Sequence, residues 1–176
     1  MNLTLQQGMF SPDREPHPAV NEIKYLQQPV LSTPIASNDE TIDVAADANP
    51  SVQLRFYNRY SFQDLSHISW TWELKCNRSC EALYSGQFEI DSNSSAQEVD
   101  LSMTDVLPRI RKLEKAPPFF GHTYWLKIRG ILNGDTSWAD AGHVLVRRQL
   151  RVKFTFDKGL VETTSRPGKP PSVEHL

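Results

Sequence analysis

The sequence predicts an all-β protein: an immunoglobulin-like antiparallel β-sandwich with a short N-terminal loop-helix segment and an irregular C-terminal tail. Three observations carry that reading. Apolar and polar residues alternate over most of positions 52 to 156, the period-two pattern of strands with one buried face. Turn-forming clusters interrupt the alternation at intervals of roughly 8–12 residues. No long helical stripe lies between the strands, which argues against βαβ crossovers. At 176 residues the chain has room for one ordinary domain with tails, divided here as a loop and helix over 1–28, a sandwich over 29–157 and a tail or linker over 158–176.

The first segment, Met9-Phe10-Ser11-Pro12-Asp13-Arg14-Glu15-Pro16-His17-Pro18, is punctuated by prolines. Each lacks a donor and drives its predecessor from the helical region, so this is a shaped loop. Val20, Ile23 and Leu26 then recur at helical spacing between Pro18 and Pro29, which predicts one short helix. Val30-Leu31 and Thr41-Ile42-Asp43-Val44 read as two short strands. Val52, Leu54 and Phe56 form the next strand, and Ile68, Trp70, Trp72 and Leu74 another, with both tryptophans on one face.

Cys76-Asn77-Arg78-Ser79-Cys80 fits a hairpin loop. The returning strand carries Ala82, Tyr84, Phe88 and Ile90 on one side, with Gly86 read as a bulge. After a polar turn, Val99, Leu101 and Met103 alternate again. The charged stretch between Pro108 and Pro118 reads as a flexible loop. Two strong strands follow. Tyr124, Leu126, Ile128 and Leu132 mark the first, and after the turn at Asn133-Gly134-Asp135 come Val144, Val146, Leu150, Val152, Phe154 and Phe156. Arg148 interrupts that series and reads as a residue at a bulge or near a rim.

Charge narrows the partners. Nineteen Lys and Arg against 21 Asp and Glu give a net charge of −2, so no overall positive field draws in nucleic acid or an anionic membrane. The Arg147 to Lys153 stretch reads as the outward face of a strand, kept charged against edge aggregation. The absence of a secretory leader and of a long apolar run points to a soluble chain, cytoplasmic rather than secreted. On that reading the sequons at Asn2, Asn77 and Asn93 are incidental.

Chemistry finds little foothold. Asp13, Glu15, Glu73, Asp135 and Asp140 are turn or surface carboxylates rather than a catalytic pair. The five histidines are scattered, and a single Cys-x-x-x-Cys lacks the second pair that tetrahedral zinc needs, so neither a catalytic nor a metal-ligating residue is assigned. Cys76 and Cys80 are read as two free thiols, with a short disulfide as the alternative. Trp125, opposite the apolar side of its strand, and Trp138, in a turn, are the two residues that could stack on a sugar ring or cover a neighbouring domain.

Several motifs agree in order with one family. Gly8-x-Phe10-x-Pro12-Asp13-Arg14-x-Pro16-His17-Pro18-Ala19, then Glu22-x-Lys24 and Gln28-Pro29-Val30, resemble the segment that leaves the catalytic barrel in the large β-galactosidases of the family-two glycoside hydrolases. Asn58-Arg59-Tyr60-Ser61-Phe62-x-Asp64-Leu65, Trp70-x-Trp72-Glu73-Leu74 and Trp138-Ala139-x-Ala141-Gly142-His143 are similar to the sandwich that follows it. The resemblance spans roughly residues 6 to 157 and implies a parent that hydrolyses terminal β-galactosides with retention, using two barrel glutamates with magnesium and sodium nearby. A barrel needs about 250 residues, so the resemblance implies that glutamates and ions lie outside this chain, which needs no cofactor of its own.

The implied partners are the preceding barrel, the following domain and further copies of the parent in a homo-oligomer, and neither nucleic acid nor membrane. The same resemblance gives Asp13, Arg14 and His17 a structural role in the exit loop, with Asp13 and Arg14 buttressing it as a charge-assisted pair. A sodium-binding asparagine of some relatives is replaced by Gln7 and is not carried over. The alternative, from a different class, is a free-standing carbohydrate-binding or adhesion module.

Overall fold

The computed structural model describes residues 8–35, 41–46, 49–77, 81–114 and 122–156. The predicted tail lies outside these residues. Helix α1 spans Ala19–Leu26, and the strands follow as β1 (Val30–Pro34), β2 (Thr41–Ala45), β3 (Ser51–Asn58), β4 (Ile68–Cys76), β5 (Ala82–Phe88) and β6 (Ala96–Ser102). Helix α2 (Leu107–Glu114) comes next, then β7 (Tyr124–Leu132) and β8 (Val144–Thr155). The strands form two sheets, ordered β1-β3-β6 and β2-β8-β7-β4-β5. Their apolar faces meet in one core, the predicted sandwich.

Alternation builds that core. β4 buries Ile68, Trp70, Trp72, Leu74 and Cys76, while β7 buries Tyr124, Leu126, Ile128 and Leu132 opposite them. Val52, Leu54 and Phe56 of β3 approach from the other sheet, and the Phe56 ring meets Trp70 edge-on at 5.4 Å. Each such side chain contributes about 1.5–3 kcal/mol by leaving water. Polar partners hold the outer faces, as where Arg55 on β3 pairs with Glu98 directly across on β6.

One pairing departs from the antiparallel prediction. β2 lies parallel to β8, with Thr41 opposite Arg151 and Ala45 opposite Thr155. β1 and β8 start at the same end, where Gln28 accepts the Arg147 N–H, and β2 runs parallel to β8, so the chain changes sheets without reversing. It therefore meets β8 running alongside.

The charged stretch from Pro108 is a second departure, because its first part is helix α2 and not a loop. Pro108 occupies the first turn, where its missing N–H leaves no bond unmade. Val106, Leu107 and Ile110 are buried with Met103, so α2 plugs the end of the sandwich where β6 finishes.

Two bulges also fall elsewhere than predicted. The extra residue in β5 is Leu83, between the pairs Leu74–Tyr84 and Lys75–Ala82. Gly86 instead faces Trp72 across the strands, and a Cβ there would lie 2.7 Å from the indole Nε1. The glycine makes room for the ring. In β8 the extra residue is Leu145, three positions before Arg148. Arg148 is paired with Ile128 at a stretch of β8 that β2 does not reach, and its guanidinium binds the Tyr25 hydroxyl.

Helix α1 forms where predicted, with Pro18 before its first residue and Gln27 closing it by donating to the Ile23 carbonyl at 2.9 Å. None of its residues is buried, and Leu26 is 67% exposed. It is moored by polar groups: Gln28 accepts the Arg147 backbone N–H at 3.0 Å, covering the open edge of β8, and Arg59 donates to the Leu26 carbonyl at 3.1 Å.

Candidate functional site

Strand direction fixes two ends. The upper end is the one where α1 delivers the chain to β1; β3 and β7 finish there and β4 and β8 begin there. The lower end holds α2 and the finish of β8. The twelve residues of β8 run from one end to the other, a span of about 36 Å at the usual rise per residue.

The residues singled out from sequence fall in three separate places. Asp13, Arg14 and His17 belong to the loop before α1, which main-chain bonds close. The His17 N–H donates to the Met9 carbonyl and the Ser11 N–H to the Glu15 carbonyl, both at 2.9 Å. Arg14 has φ 63°, the left-handed region that a non-glycine residue seldom adopts. Asp13 and Arg14 are exposed and do not pair with each other, so backbone geometry does the buttressing assigned to their charges.

Trp138 stands at the upper end, 63% exposed, at the tip of the β7–β8 loop. Asp135 accepts the Ala141 N–H at 2.8 Å, and Gly142, at φ 88°, turns the chain back into β8. The indole meets the His143 ring edge-on at 5.7 Å, and His143 Nε2 lies 3.0 Å from Lys24 Nζ of α1. Asn133 joins this loop to the one between β3 and β4, donating to the Ser66 carbonyl at 3.0 Å. From that second loop Phe62 projects fully into solvent while Leu65 is buried. Leu26 at the end of α1 and Phe62 and Trp138 on two cross-braced loops thus form an apolar fringe at the upper end.

In the same β3–β4 loop, Asp64 accepts from the Ser66 hydroxyl at 2.7 Å and from its N–H at 3.2 Å. These bonds hold its carboxyl below the ordinary carboxylate range. Burial pushes the neighbouring Tyr60 hydroxyl upward.

Trp125 lies elsewhere, half-buried on the outer face of the five-stranded sheet, with Lys75 and Arg151 as its cross-strand partners. Glu73, on that face, is taken up by Arg129 at 2.8 Å and Lys75 at 3.6 Å. Of four open depressions on the described surface, none is lined by more than one carboxylate. The pair of facing acids that glycoside cleavage requires is not assembled there.

Among the described residues no three His, Cys, Asp or Glu side chains group so as to hold a metal ion. Cys76 is a buried free thiol, and Cys80 lies outside the described residues. No helix among the described residues is long and apolar enough to cross a membrane.

Sequence reading missed two arrangements: the fringe shared by the end of α1 and two loops, and the concentration of cations on one sheet face. Its available signal was the alternation of Lys127, Arg129, Arg147, Arg151 and Lys153. The register that sets them beside Lys75 is a long-range property.

Comparison with known proteins adds the following. The family described as "Beta-galactosidase, domain 4" matches residues 54–153, more than half of the chain. A β-galactosidase of Photobacterium profundum is 25% identical over 149 residues, which is 84% of this chain and 12% of that protein. The chain spans about an eighth of the length of this curated relative.

Proposed function

The chain belongs to the β-galactosidase domain 4 family, and from that membership we propose that it is the inter-domain sandwich of a family-two β-galactosidase. The parent hydrolyses terminal β-galactosides with retention, and this chain, without the catalytic glutamates, is inactive alone. Magnesium and sodium belong to the parent's barrel, and the parent is placed in the cytoplasm.

The observation that carries the reading is the path of the chain. It arrives at the upper end through α1 and leaves the described region at the lower end through β8, about 36 Å away. That is the geometry of a strut between two neighbours. The upper end also carries Leu26, Phe62 and Trp138, large apolar side chains left in water, which suit docking on a preceding domain. The loop of residues 8–18 is the exit from the catalytic barrel, and Asp13, Arg14 and His17 belong to that shaped exit.

The rival reading, a free-standing carbohydrate-binding or adhesion module, rests on Trp125 or Trp138. Both are tested on the purified chain with a chromogenic galactoside and by titration with galactose and lactose under tryptophan fluorescence. The strut predicts no turnover and no saturable shift. A shift lost in Trp125→Ala or Trp138→Ala supports the sugar module, and turnover that survives repurification overturns the inactive strut.

A further inference from the structure

The outer face of the five-stranded sheet carries charge out of keeping with the chain as a whole. Among the described strand residues, Lys75 of β4, Lys127 and Arg129 of β7, and Arg147, Arg151 and Lys153 of β8 share it with Glu73 and Asp43 alone. The whole chain has a net charge of −2. Glu73 serves Arg129 and Lys75 and Asp43 lies directly opposite Lys153, which leaves Lys127, Arg147 and Arg151 without a carboxylate partner among the described residues. Register aggravates this, since Arg147 lies directly opposite Arg129. Like charges set across a strand pair destabilise the sheet. A solubilising surface mixes its signs and avoids that juxtaposition.

The relief of this face shows what would neutralise it. A depression of about 450 Å³ is lined by Lys127, Arg129, Arg147, Arg148 and Gln149 of the sheet together with Tyr25 of α1. A second, of about 340 Å³, is lined by Thr71, Ser85 and Gln87 with the same Lys127 and Arg129, and by Glu73, whose carboxylate Arg129 and Lys75 engage. The two meet along those shared residues, so a cationic trough continues into one of hydroxyl and amide groups. Beside them stands Trp125, an aromatic body flanked by Lys75 and Arg151. Cations recur along a strand every ~6.6 Å, and neighbouring strands lie ~4.8 Å apart. This flat grid suits an extended polyanion better than a small anion.

We propose that this face binds an acidic polysaccharide, a polymer of uronate or sulfated sugar rings. The cations of β7 and β8 take its charges, Thr71, Ser85 and Gln87 its hydroxyls, and Trp125 the apolar face of one ring. Nucleic acid fits less well, because a single-strand groove stacks successive bases on several aromatics, and this face offers one. The proposal is independent of the strut reading and concerns a different surface from the apolar fringe.

The test uses the full 176-residue chain with polygalacturonate as probe, neutral galactan and an oligodeoxythymidylate of matched charge as comparisons, and calorimetry with tryptophan fluorescence as readouts. Polygalacturonate should bind saturably at low ionic strength, weaken as salt is added, and perturb the fluorescence; the galactan should not bind. Arg147→Ala/Arg151→Ala should weaken binding at least about tenfold, and Trp125→Ala should remove the fluorescence change while circular dichroism stays that of the unsubstituted chain. Affinity unchanged in the arginine variant, binding of galactan, or equal affinity for the oligonucleotide would each overturn the assignment. Galactoside turnover would sink the inactive strut and leave this result untouched.

Discussion

Asp64 shows how one side chain can shape a loop from which another must project. Its carboxylate takes two bonds from Ser66, while Leu65 between them is buried and Phe62 is pushed outward. Because the folded carboxyl titrates below its ordinary range, this interaction favours the fold above the unfolded carboxylate value. That contribution disappears as pH falls through the lower folded value. Titration followed by NMR should place the Asp64 midpoint below that of an unstructured aspartate, and Ser66→Ala should move it upward. An unshifted midpoint in the unsubstituted chain would show the bonds to be unformed in solution. At this scale the sequence was legible where polarity sufficed, as in β4. It was not legible at Gly86, whose role depends on the Trp72 indole lying across from it, nor at Arg148, whose partner Tyr25 is 123 positions away.

At the scale of elements, the strands were readable because each displays its own period, and α2 was not. Its eight residues carry Pro108 and four charges, too short and too polar for the apolar stripe of Leu107, Ile110 and Leu113 to stand out. Tertiary burial decides the matter, since Ile110 is fully enclosed. Ile110→Ala is therefore expected to destabilise the chain by about 2–4 kcal/mol, measured by urea unfolding. A change within about 0.5 kcal/mol, as for an ordinary surface position, would return this stretch to a loop. The parallel β2 was equally hidden, because alternation identifies a strand and its buried face but not the neighbour beside which it runs.

The whole molecule combines a well-packed body with a lightly attached N-terminal segment. Buried apolar contacts hold β4 and β7, whereas α1 buries no residue and relies on the polar bonds of Lys24, Tyr25, Gln28 and Arg59 for its mooring. Hydrogen exchange should accordingly be much faster over residues 8–27 than over 70–74, since few apolar contacts must open there. Equal protection would show that the segment is held as firmly as the core. The candidate site divides the same way. Trp138 was visible from sequence as an exposed aromatic in a turn, but its grouping with Leu26 and Phe62 required a helix end and two loops to be brought to one end. The cation grid required the registers of three strands.

The course of β8 has a mechanical consequence. β1 and β8 run the same way in different sheets, and the flanking chain meets them at opposite tips. Tension applied to those tips would therefore act along the strands, loading the β1–β3 and β8–β7 hydrogen bonds in shear rather than peeling them one at a time. Such a body resists stretching far better than a hairpin opened from its free edge, and it transmits a pull from one side to the other with little give.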